Sequence, residues 1–343
     1  MPSVAALPDA RLDMLTAWAA SAIGTPAFDV DLASADASFR RYFRLTLATP
    51  WRGHPTLIVM DAPPPKEDCQ PFVRIAHLLA AAGLHAPAVF AEDLTRGFLL
   101  LSDLGDRTYL AALDAASAPG LYSDATAALI RWQRATRAGE LPPYDEALLS
   151  RELNLFPDWY IAKHLGCALT GAQSATLART FRLILDNNLA QPRVYVHRDY
   201  HARNLMVAEP NPGVLDFQDA VLGPITYDLV SLLRDAYVAW DEARQIDWAV
   251  RYWERARKEG LPVGDDFGNF WRDFEWMGVQ RQLKVLGIFA RLAYRDGKRA
   301  YIDDMPRVMA YLRSACERYR ALHPLLALID ALEGRASVVG YTF

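Results

Sequence analysis

Residues 196–219 constrain this chain more than any other stretch. They read Val196-His-Arg-Asp-Tyr-His-Ala-Arg-Asn204-Leu-Met-Val207, then a turn of Glu209-Pro-Asn-Pro-Gly213, then Val214-Leu-Asp-Phe-Gln-Asp219. Two short apolar runs around a Pro/Gly/Asn turn predict a β-hairpin. Such a hairpin returns Asn204 and Asp216 beside Asp199. A single Asp or Asn in a turn is ordinarily a cap, because both residue types bond to nearby backbone. Three of them converging through one hairpin require a scaffold that holds the loop on one side and the hairpin on the other.

The rest of the chain supplies two kinds of scaffold. Residues 9–23 carry Leu12, Leu15, Trp18, Ala19 and Ile23 at helical spacing, closed by Gly24 and Pro26. Residues 39–47 alternate as Phe39, Arg41, Phe43, Leu45 and Leu47, and Leu57–Met60 is a short apolar run, so two or three antiparallel strands are expected. A helix over 72–84 follows, then strands at 87–92 and 97–102 joined by a polar turn. From 106 onward the pattern turns helical, at 120–138, 146–165, 173–190, 225–258, 267–295 and 305–333. Strand-like pieces there are confined to 193–196, 205–207 and 214–217. The expected class is α+β, with a small mixed sheet lobe over 1–102 and a larger, mainly helical lobe over 103–343. Ser102-Asp-Leu-Gly-Asp106 is the connector, and no internal repeat appears.

Composition narrows the partners. At 52% apolar residues the 343-residue chain has ample material for cores. Lys plus Arg total 37 against 41 Asp plus Glu, for a net charge of −4 without long single-sign runs. Nucleic acid and anionic membrane are not expected partners. Cys69, Cys167 and Cys316 are scattered, which argues against disulfides or structural zinc. The N-terminus lacks a signal pattern and the most apolar stretch, 76–91, is interrupted by His77, Gly83, His85 and Pro87. A cytoplasmic protein is expected, its oligomeric state left open.

Phosphoryl transfer asks for a carboxylate to accept the attacking hydroxyl's proton and for oxygen ligands holding magnesium against the phosphate. Asp199 suits the first task, Asn204 and Asp216 the second. His-Arg-Asp, four residues, then Asn, followed downstream by Asp-Phe, is the protein-kinase catalytic-loop and metal-loop pattern. His201 within His-Arg-Asp-Tyr-His-x-x-Asn, with Gly223-Pro-Ile-Thr-Tyr-Asp228-Leu downstream, resembles the aminoglycoside phosphotransferase and choline-kinase branch. The resemblance runs from about residue 33 to 300. An Ala-Pro-Glu activation-segment ending is missing, so a protein substrate is not expected. Within the branch, Asp36-Ala-Ser-Phe-Arg-Arg-Tyr-Phe-Arg44, Met60-Asp-Ala-Pro-Pro64, Asp103-Leu-Gly-Asp-Arg-Thr-Tyr109, Arg151-Glu-Leu-Asn-Leu-Phe-Pro-Asp-Trp159 and Gln280-Arg-Gln-Leu-Lys284 look closest to bacterial N-acetylmuramate/N-acetylglucosamine kinases of cell-wall recycling.

That resemblance implies a bilobal protein-kinase-like fold, ATP and Mg2+ as cofactors, and an amino sugar phosphorylated on its anomeric C1 hydroxyl. Ser38, Phe39 and Arg40 fall where such folds turn over the phosphates, although 33–44 has no glycine. Walker and G-x-G-x-x-G patterns are absent. The run Leu57-Ile-Val-Met60 offers no lysine where kinases of this fold carry one on the third strand, leaving Arg44 or Arg41 as candidate cations. Adenine is expected against the backbone of Leu101, Ser102 and Asp103, with Val59 or Met60 above and the 205–215 hairpin below. Aromatic and charged residues mix near Asp158 and Trp159, as sugar sites require. Arg203, Arg281 and Lys284 are candidate cations for a lactyl carboxylate. His197, His201, Asp219 and Asp228 are read as supports of the catalytic loop. Two alternatives stay open: a kinase of another small hydroxylated molecule, such as an aminoglycoside or amino alcohol, and a nucleotide-binding pseudokinase.

Overall fold

The computed structural model describes residues 9–35, 39–64 and 66–335. They form two compact units, one of the chain up to Arg107 together with Met206–Asp219, the other of Thr108–Leu205 together with Ala220 onward. The division is discontinuous along the chain because the hairpin's backbone bonds run to the sheet unit. Val207 N donates to Arg107 O and Val214 N to His85 O, each at 2.8 Å.

In the sheet unit, helix α1 (Ala10–Ile23) precedes strands β1 (Phe28–Ala35), β2 (Arg41–Trp51) and β3 (His54–Asp61), then helix α2 (Gln70–Ala81) and strands β4 (Val89–Asp93) and β5 (Phe98–Ser102). The sheet runs β1-β2-β3-β5-β4, every pairing antiparallel. Asp9 caps α1 by accepting from Arg11 N and Leu12 N, and Gly24 ends it in the left-handed region. The face of α1 made by Leu15, Ala19 and Ile23 packs on Phe43, Leu45 and Leu47 of β2, Leu57 and Val59 of β3, and Phe98 and Leu100 of β5. Of the period-2 alternation read in 39–47, Phe43, Leu45 and Leu47 form this inward face, whereas Phe39 precedes the strand and is exposed. Strand β1 was not anticipated, although Phe28, Val30 and Leu32 alternate with Asp29 and Asp31; it is an edge strand, with Phe28 and Val30 half-buried and Leu32 exposed. Gly97, at φ 74, lets the β4–β5 turn pass beneath Ala62, whose carbonyl oxygen lies 1.9 Å from where a Cβ would be.

The helical unit contains α3 (Tyr109–Ala112), α4 (Ala118–Arg134), α5 (Glu146–Leu153), a π-helix over Phe156–His164, α6 (Gly171–Ala190) and strand β6 (Arg193–Val196). The hairpin strands β7 (Leu205–Met206) and β8 (Gly213–Val214) intervene. Strand β9 (Val221–Pro224), which pairs antiparallel with β6, then leads into α7 (Tyr227–Leu233), α8 (Glu242–Lys258), α9 (Phe267–Tyr294), α10 (Met305–Arg318) and α11 (His323–Glu333). Three of the expected long helices, 146–165, 225–258 and 305–333, are each interrupted. The 146–165 pattern breaks ahead of Pro157 and the 305–333 pattern ahead of Pro324, since proline has no N–H for the preceding turn. Between α7 and α8, Asp235 accepts from Tyr237 N and Asp241 from Arg244 N, side-chain bonds that replace helical ones. Among the described residues no helix is long and apolar enough to cross a membrane.

The 28-residue α9 is the spine of this unit, buried along most of its length. Gly287 lets Leu155 approach its backbone: a Cβ there would lie 2.4 Å from the Leu155 carbonyl carbon. Alanine is otherwise the better helix former by about 1 kcal/mol. Because the obstruction is backbone, Gly287→Ala should nonetheless destabilise the protein, by roughly 1–3 kcal/mol in chemical denaturation. A gain in stability would show that the contact yields freely.

Candidate active site

In the helical unit, β6 delivers the chain into His197-Arg-Asp199 at its C-terminal end. His197 is buried, and its Nδ1 lies 3.3 Å from Asp199 N. Arg198 sits at φ 79, a conformation non-glycine residues rarely adopt, and its backbone is held from below. The fully buried Asp228, near the start of α7, accepts from His197 N at 2.7 Å and Arg198 N at 2.9 Å. Burial pushes the Asp228 carboxyl up to about 7 against those two donors, and the neighbouring Asp199 charge adds to the rise. Asp235 fixes the next stretch by accepting from Ala202 N at 2.9 Å. Asn204 closes the loop, its Nδ2 donating to Asp199 O at 3.0 Å.

A carboxylate that the sequence reading left without a role organises the charges beneath this loop. Glu152 of α5 is buried and accepts from Arg198 Nη2 at 2.6 Å, Lys284 Nζ at 3.0 Å and Gln280 Nε2 at 3.1 Å, and from the Tyr144 hydroxyl. Burial alone would raise its pKa, but Lys284 and Arg198 outweigh it and hold the carboxyl below the ordinary range. Lys284 in turn stays protonated despite burial, mainly through Glu152, and donates to the Tyr227 hydroxyl at 2.9 Å. The usable signal was positional: Glu152 shares the stripe of α5 that buries Leu149 and Leu153, so it points inward.

Asp199 itself opens into a cavity shared with His201, Tyr227, Tyr237, Arg281, Lys284 and Tyr301. Burial raises the Asp199 pKa, yet the positive charge around it, that of Lys284 foremost, overcomes this and holds the carboxyl below the ordinary carboxylate range. Burial depresses the His201 pKa. Arg203 is exposed and lies flat over Tyr237, its guanidinium carbon 3.6 Å from the ring centroid. Asp158 and Trp159, expected near a sugar, are not among the residues lining this cavity. The π-helix turns Phe156, Tyr160 and Ile161 into the core and leaves Asp158 exposed.

The sheet unit holds the residues read as nucleotide-binding. Ser38 lies outside the described residues. Phe39 is exposed, its N–H donating to Glu67 Oε1 at 3.2 Å, and Arg40 pairs with Glu67 Oε2 at 3.0 Å. Glu67 was not singled out in sequence. Arg44 makes a two-pronged pair with Asp103 (2.6 and 3.0 Å) and donates to Gly105 O, while Arg41 is paired with the buried Asp61 and with Asp9. Both strand arginines therefore have their charge neutralised by protein carboxylates. Met60 is buried in β3, opposite Leu99 of β5, and Leu101 is opposite Ile58. Ser102, Asp103, Leu104, His85, Ala208 and Glu209 line a cleft of about 480 Å³, within the size range of small-molecule sites. Asp216 lies in this unit, exposed at φ 61, and accepts from Gln218 Nε2 at 2.8 Å; Asp219 is also exposed.

A family model described as the phosphotransferase enzyme family matches residues 29–267. The chain belongs to this family. It is 49% identical over 340 residues to an N-acetylmuramate/N-acetylglucosamine kinase of Pseudomonas putida, covering 96% of this chain and 98% of that protein. A like-named kinase of Neisseria meningitidis is 47% identical, with 92% and 94% covered. Among solved structures, a choline/ethanolamine kinase family protein from Mesorhizobium loti superposes with a TM-score of 0.60 at 16% identity, over 94% of this chain and 99% of that one. A gentamicin complex of an aminoglycoside phosphotransferase gives 0.59 at 14% identity, over 93% and 99%. This is the protein-kinase-like fold, a sheet unit and a larger helical unit, and the protein is a phosphotransferase.

Proposed function

We propose that the protein is an ATP-dependent kinase that phosphorylates the anomeric C1 hydroxyl of N-acetylmuramate and N-acetylglucosamine, as in bacterial cell-wall recycling. The observation that carries the reading is Asp199: ionised, fixed by its loop, and lining a cavity of aromatic and charged side chains suited to a sugar. The family and the names of its near relatives supply the reaction class and the sugars. An aminoglycoside phosphotransferase of the same fold has been solved with streptomycin and ATP, which supports ATP as the donor.

In this reading Asp199 aligns the hydroxyl and takes its proton. An anomeric hydroxyl is more acidic than an ordinary alcohol, so positioning matters more than basicity. Asn204 and Asp216 would offer a carboxamide and a carboxylate oxygen, hard donors of the kind magnesium prefers, and the Asn204 Nδ2 donates to Asp199 O. A magnesium ion held by these residues would supply neutralisation of the charge on the transferred phosphoryl group. The cation read for the ATP phosphates is Arg40, which is ion-paired with Glu67 much as a kinase's strand lysine is paired with its helix glutamate. His197, Asp228 and Asp235 hold the loop.

Phosphorus NMR of the product made from each sugar is expected to show a phosphate coupled to the anomeric proton, formed only while magnesium is present and lost on adding EDTA. A C6 phosphate would overturn the anomeric assignment. Turnover of choline or kanamycin but of neither amino sugar would overturn the substrate.

A further inference from the structure

Three cations of the helical unit were candidates for an acidic substituent, and their surroundings differ. Lys284 is held by Glu152 and the Tyr227 hydroxyl, so its charge already has a counterion. Arg203 is exposed and stacked on Tyr237, outside the lining of the Asp199 cavity. Arg281, one turn before Lys284 on α9, is only 4% exposed and lines that cavity. Yet no carboxylate lies within ion-pairing distance and no hydrogen bond reaches it among the described residues; Asp199 and Asp228 act on it only at longer range. Burying a guanidinium without a partner costs several kcal/mol, so such a group is normally paired. The same cavity is lined by His201, whose buried Nδ1 has no hydrogen-bond partner among the described residues. A guanidinium without a counterion and an imidazole nitrogen without a hydrogen-bond partner, both lining the cavity that Asp199 opens into, are a receptor for an anionic, hydroxylated molecule.

We propose that Arg281 binds the lactyl carboxylate of N-acetylmuramate and thereby sets this kinase's preference between its two acceptors. The proposal rests on the amino-sugar reading above. N-acetylmuramate differs from N-acetylglucosamine by that one acidic ether, so a fork of guanidinium donors discriminates between them directly. The carboxylate supplies the counterion that the fold withholds from Arg281. N-acetylglucosamine leaves the guanidinium to water.

The test compares kcat/KM for N-acetylmuramate, its methyl ester and N-acetylglucosamine. With the unaltered enzyme, the ester should be worse than the free acid by about 10–100-fold, the worth of a charge-assisted hydrogen-bond pair. In Arg281→Gln the ratio of N-acetylmuramate to N-acetylglucosamine efficiency should fall by a similar factor, chiefly through KM, and the ester should lose its disadvantage. Arg281→Lys should recover part of the ratio. An ester as good as the acid, or a variant that loses both sugars equally, would overturn the proposal; the second result would mark Arg281 as a phosphate-binding or structural group. The ester arm needs no variant and so decides the matter even if Arg281→Gln does not fold. Failure of the unaltered enzyme to use any amino sugar would instead overturn the amino-sugar reading itself.

Discussion

Asp199→Asn is expected to lower kcat by about 10³–10⁴-fold while leaving ATP affinity within a few-fold of the unaltered enzyme. The amide has the shape of the carboxylate and keeps its place in the loop, but it cannot accept a proton. The backbone bonds that hold the loop, from Asp228 to His197 N and Arg198 N, do not involve the Asp199 side chain and remain. Burst and steady-state phosphorylation assays with either amino sugar, set beside nucleotide titration, separate chemistry from binding. Activity within ten-fold of the unaltered enzyme would remove Asp199 from its assigned role. Loss of ATP binding together with turnover would show that the residue maintains the nucleotide site.

The second large effect concerns Glu152. Replacing it with Gln leaves Arg198 and Lys284 buried without their counterion, and removal of one partner of a buried ion pair costs roughly 3–5 kcal/mol. Because Arg198 directly precedes Asp199 and sits at φ 79, turnover should also fall, by about 10–100-fold, through displacement of the catalytic carboxylate. The effect carries a pH signature. Glu152's carboxyl is held below its unfolded value, so its contribution to stability is complete above about pH 4.3, the unfolded value. It is lost as pH falls through the lower folded value. The stability gap between unaltered and Glu152→Gln protein should therefore be constant at neutral pH and close in strong acid. A gap that is negligible at pH 7 would show that Gln280 and Tyr144 alone satisfy the site.

How far the sequence reached can be traced through individual residues. The loop 196–204, the five-stranded sheet's inner face and the presence of a hairpin after Asn204 follow from short-range chemistry: turn residues, period-2 alternation and the spacing of polar groups within one segment. The family resemblance rested on such local strings, and the matching family model and relatives agree with it. Helix ends were less legible. Pro157 and Pro324 break patterns whose apolar periodicity continues across them, and periodicity alone does not register a missing N–H. Strand β1 was missed although Phe28, Val30 and Leu32 alternate with aspartates; as an edge strand it buries none of the three fully.

What the sequence by itself determined is the reaction class, and it supplied the residues proposed for its centre, since Asp199 and its loop neighbours lie close together along the chain and are read from their spacing. What only the tertiary structure decided is which charges remain available. Arg41, Arg44, Arg281 and Lys284 are equivalent as letters, but their partners come from distant segments: Asp61 and Asp9 for Arg41, Asp103 for Arg44, Glu152 for Lys284. Arg281 has none among the described residues, and in a buried setting the presence or absence of a counterion decides whether a cation holds the fold or waits for a ligand.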